Sequence, residues 1–214
     1  KSLALSANSM FLYLGDDSDN TVAGFGVDAL TGALTSLGAG TATVTDPEFL
    51  ATHYDGLTLY VSSTTGSKIG KHTLVTTTGA VGAVTETTTN STGPTRLVMA
   101  DFDQDELYVL SPANDKIENY GIDSFGDISF DSDADTGDNP VDLVAVVTPA
   151  VVERVYVSCD GAVDQIDQFA ASVTGSLSPL SPASVPAPVN SAPGPMVANP
   201  TGTRLYGATP NAPS

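Results

Sequence analysis

Hydrophobic residues in this chain cluster into short stretches, and one such stretch, centred on a tyrosine, recurs five times. The five copies are FLYLG at Tyr13, LTLYVSS at Tyr60, ELYVL at Tyr108, RVYVS at Tyr156 and RLYGA at Tyr206. Successive tyrosines lie 47, 48, 48 and 50 residues apart. A repeat of roughly 40 to 50 residues is typical of folds whose repeating unit is a four-stranded sheet. The spacing therefore predicts one structural unit that is repeated along the chain.

Other positions of each unit repeat together with the tyrosine. An apolar stretch opens ten residues before it, at Leu3, Leu50, Val98, Val146 and Met196. Asp55-Gly56 lies between two apolar runs, which is a strong signal for a hairpin turn. A third stretch carries a ring at Phe25, His72, Tyr120 and Phe169, and a glycine follows at Gly32, Gly79, Gly126 and Gly175. This pattern predicts four short antiparallel strands per unit and no long helix.

A single four-stranded unit is too small to bury its own apolar side, so the units must pack face to face. Radial packing gives a β-propeller and linear packing gives a solenoid, and the period favours the propeller. We therefore expect an all-β fold, a single β-propeller region over 1–214 of four-stranded antiparallel blades. It comprises about four complete blades plus the first two strands of a fifth, with repeats at 1–46, 47–93, 94–139, 140–193 and a partial 194–214.

The charge of the chain excludes some classes of partner. There are 25 acidic residues and seven basic ones, a formal net charge of −18. Such a surface repels phosphate backbones and anionic lipid, so we expect no nucleic-acid binding. No apolar run is long enough for a transmembrane helix, so we expect no membrane insertion. Lys1-Ser2 leads straight into a strand, so we expect a mature, processed or trimmed chain.

Composition also suggests a location. Lysine is scarce, Thr, Ser, Ala and Gly are abundant, and Asn90-Ser91-Thr92 is a glycosylation sequon. These features favour a secreted, cell-surface or periplasmic protein. The one cysteine, Cys159, has no partner for an internal disulfide, and a small buried hydrophobe is its expected role rather than a nucleophile.

The two histidines have different expected roles. His72 stands in the ring position of the repeat, which predicts a packing role. His53 comes just before the Asp55-Gly56 turn, where a polar turn residue is the simplest interpretation. A general acid or base at His53 is the alternative, and it would need a carboxylate or a substrate within hydrogen-bond reach.

Carboxylates are the other candidate chemistry. Twelve of the 25 acidic residues lie between Asp101 and Asp138. Alternating oxygen ligands in a turn suit a hard cation such as Ca²⁺, although neither run has the glycine and glutamate positions of an EF-hand loop. We expect no cofactor, with Ca²⁺ as the exception, and solvated acidic turns are the alternative. The metal candidates are Asp101, Asp103, Asp105, Asp131, Asp133 and Asp135, and the turn at 16–19 is a further candidate.

Four segments resemble one family of propellers. They are DGLTLYVSS at 55–63, VDALTGALTSLG at 27–38, VDQIDQFAASVTGSLSPLSPASV at 163–185 and PTGTRLYG at 200–207. They resemble the lactonase-like seven-bladed β-propellers, a family that includes 6-phosphogluconolactonases and carboxymuconate cyclases. The resemblance covers essentially the whole chain. It implies a site at one mouth of a central channel, where Arg, His and Glu side chains surround an acidic lactone or muconate.

The sequence departs from the family's catalytic pattern. Gly93-Pro94-Thr95-Arg96 is similar to the Gly-Pro-Arg-His opening of cyclase-like members, but the arginine comes one place later and the histidine is missing. Leu110-Ser111 stands where those members carry glutamate. We therefore expect a non-catalytic extracellular or periplasmic scaffold or interaction module that binds a protein partner.

Two alternatives remain open. The first is a lactonase-type hydrolase acting at the channel mouth, with His53 and Arg96 as the catalytic candidates. The second is a structural subunit that closes or assembles through blade edges. Because seven blades need roughly 330 residues, we expect a closed ring to require further blades or further copies of the chain.

Overall fold

The computed structural model describes residues 2–99, 105–147, 153–187 and 192–208. Within these ranges the regular structure is antiparallel β-sheet, apart from one 3₁₀ turn at Pro112–Asn114. The all-β prediction is therefore confirmed. In the same ranges, no helix has the length and hydropathy needed to cross a membrane.

The strands form sequential antiparallel sheets, each a simple meander. The first sheet contains β1 (Leu3–Leu5), β2 (Phe11–Asp16), β3 (Thr21–Val27) and β4 (Leu34–Ser36), with β5 (Thr41–Ala42) added on β3. The second contains β6 (Pro47–Thr52), β7 (Thr58–Ser63), β8 (Lys68–Leu74) and β9 (Val81–Thr88). The third contains β10 (Arg96–Met99), β11 (Glu106–Ser111), β12 (Lys116–Ile122) and β13 (Ile128–Asp135). These are the four-stranded blades that the repeat predicted.

The remaining strands continue the pattern. The fourth sheet contains β14 (Pro140–Val147), β15 (Glu153–Asp160), β16 (Asp164–Ala171) and β17 (Leu177–Pro186). The last pair is β18 (Met196–Ala198) and β19 (Leu205–Gly207). Each sheet lies inside one predicted repeat, so the described strands form a partial propeller of four blades and the first two strands of a fifth.

The chain divides into two compact units. The first comprises Lys1–Leu97 with Ser124–Asp127, and the second comprises Val98–Asp123 with Ile128–Ser214. The single propeller region expected over 1–214 stays a prediction.

Each unit has its own hydrophobic core. The core of the first unit is built from Ala4, Phe11, Tyr13, Val22, Val44, Leu50, Leu59, Val61 and Leu74. The core of the second is built from Tyr108, Leu110, Ile117, Leu143, Val155, Val157, Cys159 and Phe169. Every residue of β7 is buried, which is typical of a strand covered on both faces.

The repeated tyrosines occupy equivalent positions, since all five lie on the second strand of their sheet. The Tyr60 hydroxyl donates to the Gly126 carbonyl oxygen at 2.9 Å, and the Tyr108 hydroxyl donates to the Gly175 carbonyl oxygen at 3.3 Å. Both acceptors are glycines with positive φ, 74° and 72°, in the turn between the third and fourth strands. These two tyrosines thus tie a strand of one sheet to a turn of the next.

Candidate functional site

The first strand of a sheet starts in the same unusual way four times. A residue with left-handed backbone is followed by a proline, and such a conformation is unfavourable for residues with a side chain. The pairs are Asp46-Pro47 (φ 54°), Gly93-Pro94 (φ 66°), Asn139-Pro140 (φ 49°) and Ala192-Pro193 (φ 42°). Three of these four residues carry a side chain, so hydrogen bonds must hold their strand starts in place.

The turn between the second and third strands of the preceding repeat provides these hydrogen bonds. The N–H of Asp46 donates to Asn20 Oδ1 at 2.7 Å, and the N–H of Asn139 donates to Asp115 Oδ1 at 2.8 Å. Ser67 and Asp164 accept in the same way, each at 3.4 Å. The carbonyl oxygens of the four turn residues also accept N–H bonds at 2.9 Å, from Thr43, Thr89, Thr136 and Ala187. One repeated network thus fixes the starts of the first strands.

In the first unit this network positions a cationic side chain. We call the surface formed by 46–49, 62–64 and 93–96 the Arg96 rim. The Arg96 Cζ lies 4.8 Å from the centroid of the Phe49 ring, a cation–π contact. Ser62 Oγ accepts the Phe49 N–H at 3.1 Å and donates to the Thr95 carbonyl oxygen at 3.1 Å. The Arg96 guanidinium is therefore held over the Phe49 ring, because Ser62 links the backbone at Phe49 to the backbone at Thr95.

The Arg96 rim carries a guanidinium and the carboxylate of Glu48. A guanidinium is always charged and presents planar N–H donors that suit a carboxylate or a developing oxyanion. Glu48 precedes Phe49 at the same strand start, and its side chain is exposed. A carboxylate in this position offers a group that can accept a proton from water. Glu48 was not singled out from the sequence, although it directly follows Pro47 as Thr95 follows Pro94.

His53 closes a turn rather than joining the rim. Its N–H donates to the Thr58 carbonyl oxygen at 2.9 Å, and its own carbonyl accepts the Gly56 N–H at 3.0 Å. Ser6 and Asn199 close the corresponding turns of their sheets with the same two bonds, at 2.8 to 2.9 Å. The geometry matches the polar turn residue that the sequence indicated.

The structure does not bring His53 and Arg96 together. Arg96 packs on Phe49 near the start of β6, whereas His53 follows the end of β6. Phe49 and His53 lie four positions apart along extended strand, which corresponds to about 13 Å. The His53 Nδ1 instead lies 2.9 Å from Asp55 Oδ1. Since a carboxylate can only accept, Nδ1 carries the proton in this contact, and it therefore does not accept from the more distant Asp55 N–H at 3.5 Å.

His72 fills the ring position of its repeat and is fully buried. Its Nδ1 lies 2.8 Å from the Gly82 carbonyl oxygen, and its Nε2 lies 2.7 Å from the Thr43 hydroxyl. Because a carbonyl can only accept, Nδ1 is the protonated nitrogen and Nε2 accepts from Thr43. Burial lowers the pKa of His72, so the neutral ring is favoured.

Cys159 is fully buried beside a carboxylate. Its Sγ lies 3.3 Å from Asp167 Oδ2. Burial, together with the Asp167 charge, raises the pKa of the thiol far above its usual range. Because the thiolate is the nucleophile, this cysteine is chemically inert in the folded chain.

The acidic candidates for Ca²⁺ are differently placed. Asp101 and Asp103 lie outside the described residues, and Asp105 is exposed. Lys116 Nζ lies 2.9 Å from Asp133 Oδ1 and 2.7 Å from Asp135 Oδ1. In the described part of the chain, no group of three or more His, Cys, Asp or Glu side chains is arranged to hold a metal. Ca²⁺ binding stays a prediction.

The four-stranded meanders are blades of a β-propeller. The family described as lactonase, 7-bladed beta-propeller, matches residues 11–209, and the chain belongs to this family. The resemblance inferred from the sequence segments is therefore confirmed. No curated protein matches the chain.

Several solved structures share the fold. A Bacteroides fragilis protein, provisionally named a 6-phosphogluconolactonase, is 16% identical with a TM-score of 0.74, over 93% of this chain and 60% of that one. The periplasmic gluconolactonase PpgL of Pseudomonas aeruginosa is 16% identical with a TM-score of 0.73, over 97% and 62%. A Lactobacillus plantarum protein is 18% identical with a TM-score of 0.75, over 96% and 62%. The chain thus spans about three fifths of the length of these neighbours.

Proposed function

We propose that the chain provides the Arg96 rim of a lactone hydrolase. The observation that carries the proposal is a guanidinium fixed over Phe49 at a strand start, in a chain that belongs to the lactonase family. One structural neighbour is named a periplasmic gluconolactonase. These facts favour the hydrolase alternative over the non-catalytic scaffold expected from the sequence.

The rim residues would divide the chemistry of lactone hydrolysis between them. Water adds to the carbonyl carbon, the ring C–O bond breaks, and a hydroxy acid is formed. Arg96 donates N–H bonds to the carbonyl oxygen as negative charge develops there, which stabilises the transition state more than the substrate. Glu48 takes the proton of the attacking water, and that proton passes to the departing ring oxygen.

The charge of the chain supports a neutral lactone as the substrate. A phosphorylated lactone needs several convergent cations. The Arg96 rim has one, and the whole chain has seven basic residues against a net charge of −18. The same field repels the hydroxy-acid product and so favours its release. We therefore propose an aldonolactone without a phosphate group.

The test is the rate of glucono-δ-lactone hydrolysis, followed by pH-stat titration and corrected for the spontaneous rate. Arg96→Gln is expected to lower kcat/KM by roughly a hundredfold, the usual effect of losing an oxyanion donor. Glu48→Gln is expected to lower kcat with little change in KM. Arg204→Gln, at an exposed position of the β18–β19 turn, is the matched control.

A wild-type rate no faster than the spontaneous reaction would overturn the proposal. So would an Arg96→Gln variant as active as the wild type. Either result would favour the scaffold that binds a protein partner.

A further inference from the structure

Tyr13 is the exception among the buried tyrosines. Tyr60 and Tyr108 donate their hydroxyls to glycine carbonyls, but the Tyr13 hydroxyl makes no hydrogen bond with any described residue. Tyr13 is nevertheless only 1% exposed. Tyrosine hydroxyls in such covered positions usually find a hydrogen-bond partner, so that of Tyr13 is available to a polar group that enters from outside the protein.

The ring of Tyr13 reaches a cavity of about 260 Å³ in the first unit. The cavity lies where the turn after β1 meets the turn after β6. Its polar and aromatic lining consists of Ser6, Asn8, Tyr13, Tyr54, Asp55 and Thr76. Its apolar floor includes Phe11. We call it the Tyr13 cavity.

One wall of the Tyr13 cavity is an exposed aromatic ring. Tyr54 is 55% exposed. Its ring centroid lies 4.5 Å from that of His53, whose backbone closes the same turn. The Tyr54 ring is thus held in place while one side remains open to a ligand.

The edge of the cavity carries polar groups whose orientation is fixed. Asp55 Oδ1 contacts His53 Nδ1 at 2.9 Å and accepts the Leu57 N–H at 2.7 Å. Among the described residues both contacts use Oδ1, which leaves Oδ2 for a ligand. Asn8 Oδ1 accepts the Ser6 hydroxyl at 2.7 Å, and Asn8 Nδ2 donates one of its two N–H groups to the Thr76 carbonyl at 3.2 Å.

We propose that the Tyr13 cavity binds a neutral hexose unit. The apolar face of a pyranose ring packs on Tyr54, Asp55 Oδ2 accepts from sugar hydroxyls, and the Tyr13 hydroxyl pairs with one more at the floor. An aromatic surface with a few convergent polar groups is the usual composition of a small-ligand site. The unpaired hydroxyl is then the part of the site that the ligand completes.

The lining argues against other ligand classes. It contains no Lys or Arg, and it carries one carboxylate, so an anion is disfavoured. Ca²⁺ takes six to eight oxygen ligands and usually several carboxylates, which one aspartate does not supply. The cavity lies beyond the end of β6, whereas Arg96 packs near its start, so the two sites are separate.

The test measures binding of methyl glucoside, methyl galactoside and methyl mannoside by saturation-transfer NMR titration. At least one is expected to bind the wild-type chain saturably. Tyr13→Phe removes one hydroxyl and keeps the ring, and it is expected to weaken binding about tenfold. Tyr54→Ala is expected to abolish binding, while Tyr206→Ala, at an equally exposed tyrosine, leaves it unchanged.

The proposal is overturned if none of the three hexosides binds saturably, or if Tyr13→Phe and Tyr54→Ala bind as the wild type does. Gluconate binding as tightly as methyl glucoside would contradict a neutral ligand. Tyr13→Phe is expected to leave lactone hydrolysis unchanged, so failure here is distinct from failure at the Arg96 rim. Because Tyr54 is exposed, Tyr54→Ala tests the site even if Tyr13→Phe folds poorly.

Discussion

At the scale of single residues, one hydroxyl group distinguishes two tyrosines that the repeat makes equivalent. Tyr60 is fully buried and donates to the Gly126 carbonyl oxygen, whereas Tyr13 is equally buried and has no such bond to a described residue. Burial also raises the pKa of Tyr13, so its hydroxyl stays protonated. The contribution of each hydroxyl to stability should therefore differ.

Replacing Tyr13 or Tyr60 by phenylalanine measures what each hydroxyl contributes to stability. Tyr60→Phe is expected to lower the free energy of unfolding by about 1 kcal/mol, because it removes a hydrogen bond and leaves the Gly126 carbonyl unpaired. Tyr13→Phe is expected to leave that free energy unchanged or to raise it. Urea denaturation measures both, and an equal loss for the two variants would contradict the difference described here.

His72 makes the folded state less stable as the pH falls. Burial lowers its pKa from the ordinary value of 6.5, so below that value the unfolded chain binds a proton more readily than the folded chain. This contribution to stability is complete above pH 6.5 and is lost as the pH falls towards the lower pKa of the folded state. We expect His72→Gln to reduce the loss of stability between neutral and mildly acid pH. An identical pH dependence of urea unfolding in both proteins would count against it.

Sequence alone predicted much at this scale, but not all of it. The tyrosine repeat predicted buried equivalent positions, and Gly93-Pro94-Thr95-Arg96 identified the arginine of the rim. The unpaired hydroxyl of Tyr13 could not be predicted, because it depends on the distance between a strand and a turn of the next sheet. The same holds for the Arg96 contact with Phe49, which lies 47 residues earlier in the chain.

At the scale of elements, the last strand of each sheet carries a different protection against edge-to-edge pairing. β4 has only three residues, and β17 contains Pro179, Pro182 and Pro186. β13 carries Asp131, Asp133 and Asp135 at alternate positions, and β9 is rich in threonine with Glu86 near its end. Short length, proline and charge all discourage pairing with another chain. These devices weigh against assembly through the outer edges of the blades.

Removing the charges of β13 should expose its edge. The triple variant Asp131→Thr, Asp133→Thr, Asp135→Thr keeps strand propensity and removes the repulsion between edges. We expect it to self-associate more than the wild type in sedimentation velocity at equal concentration. Lys116→Thr, which removes the ion-pair partner and leaves the aspartates, is the control. A triple variant that sediments like the wild type would show that another feature protects this edge.

The strand starts show where element prediction failed. The period predicted four strands per repeat, and the structure has them. The left-handed residue before each proline was missed, because it is stabilised by a turn about 26 residues earlier. The sequence does carry a signal for this network, which is a threonine before the proline, but the spacing between the two varies from four to five residues. The pairs are Thr43 and Pro47, Thr89 and Pro94, and Thr136 and Pro140.

At the scale of the whole molecule, the net charge of −18 dominates behaviour in solution. It favours neutral ligands at both proposed sites and destabilises the folded state through repulsion. Added salt screens that repulsion, so the melting temperature should rise with NaCl.

Comparing the melting temperature in CaCl₂ and in NaCl distinguishes charge screening from binding at a specific site. A Ca²⁺ site predicts that CaCl₂ raises the melting temperature more than NaCl of equal ionic strength, whereas screening alone predicts an equal rise. An extra rise that disappears in the double variant Asp101→Asn, Asp103→Asn would locate a site in residues that the structure does not describe.

Chemical rescue tests the central claim, lactone hydrolysis at Arg96, most directly. Arg96→Ala removes the guanidinium, and millimolar guanidinium ion can take its place in the space left over Phe49. We expect glucono-δ-lactone hydrolysis by Arg96→Ala to fall to near the spontaneous rate and to recover in part when guanidinium is added, with no such gain for the wild type. An Arg96→Ala variant that hydrolyses the lactone as fast as the wild type without guanidinium would contradict the account.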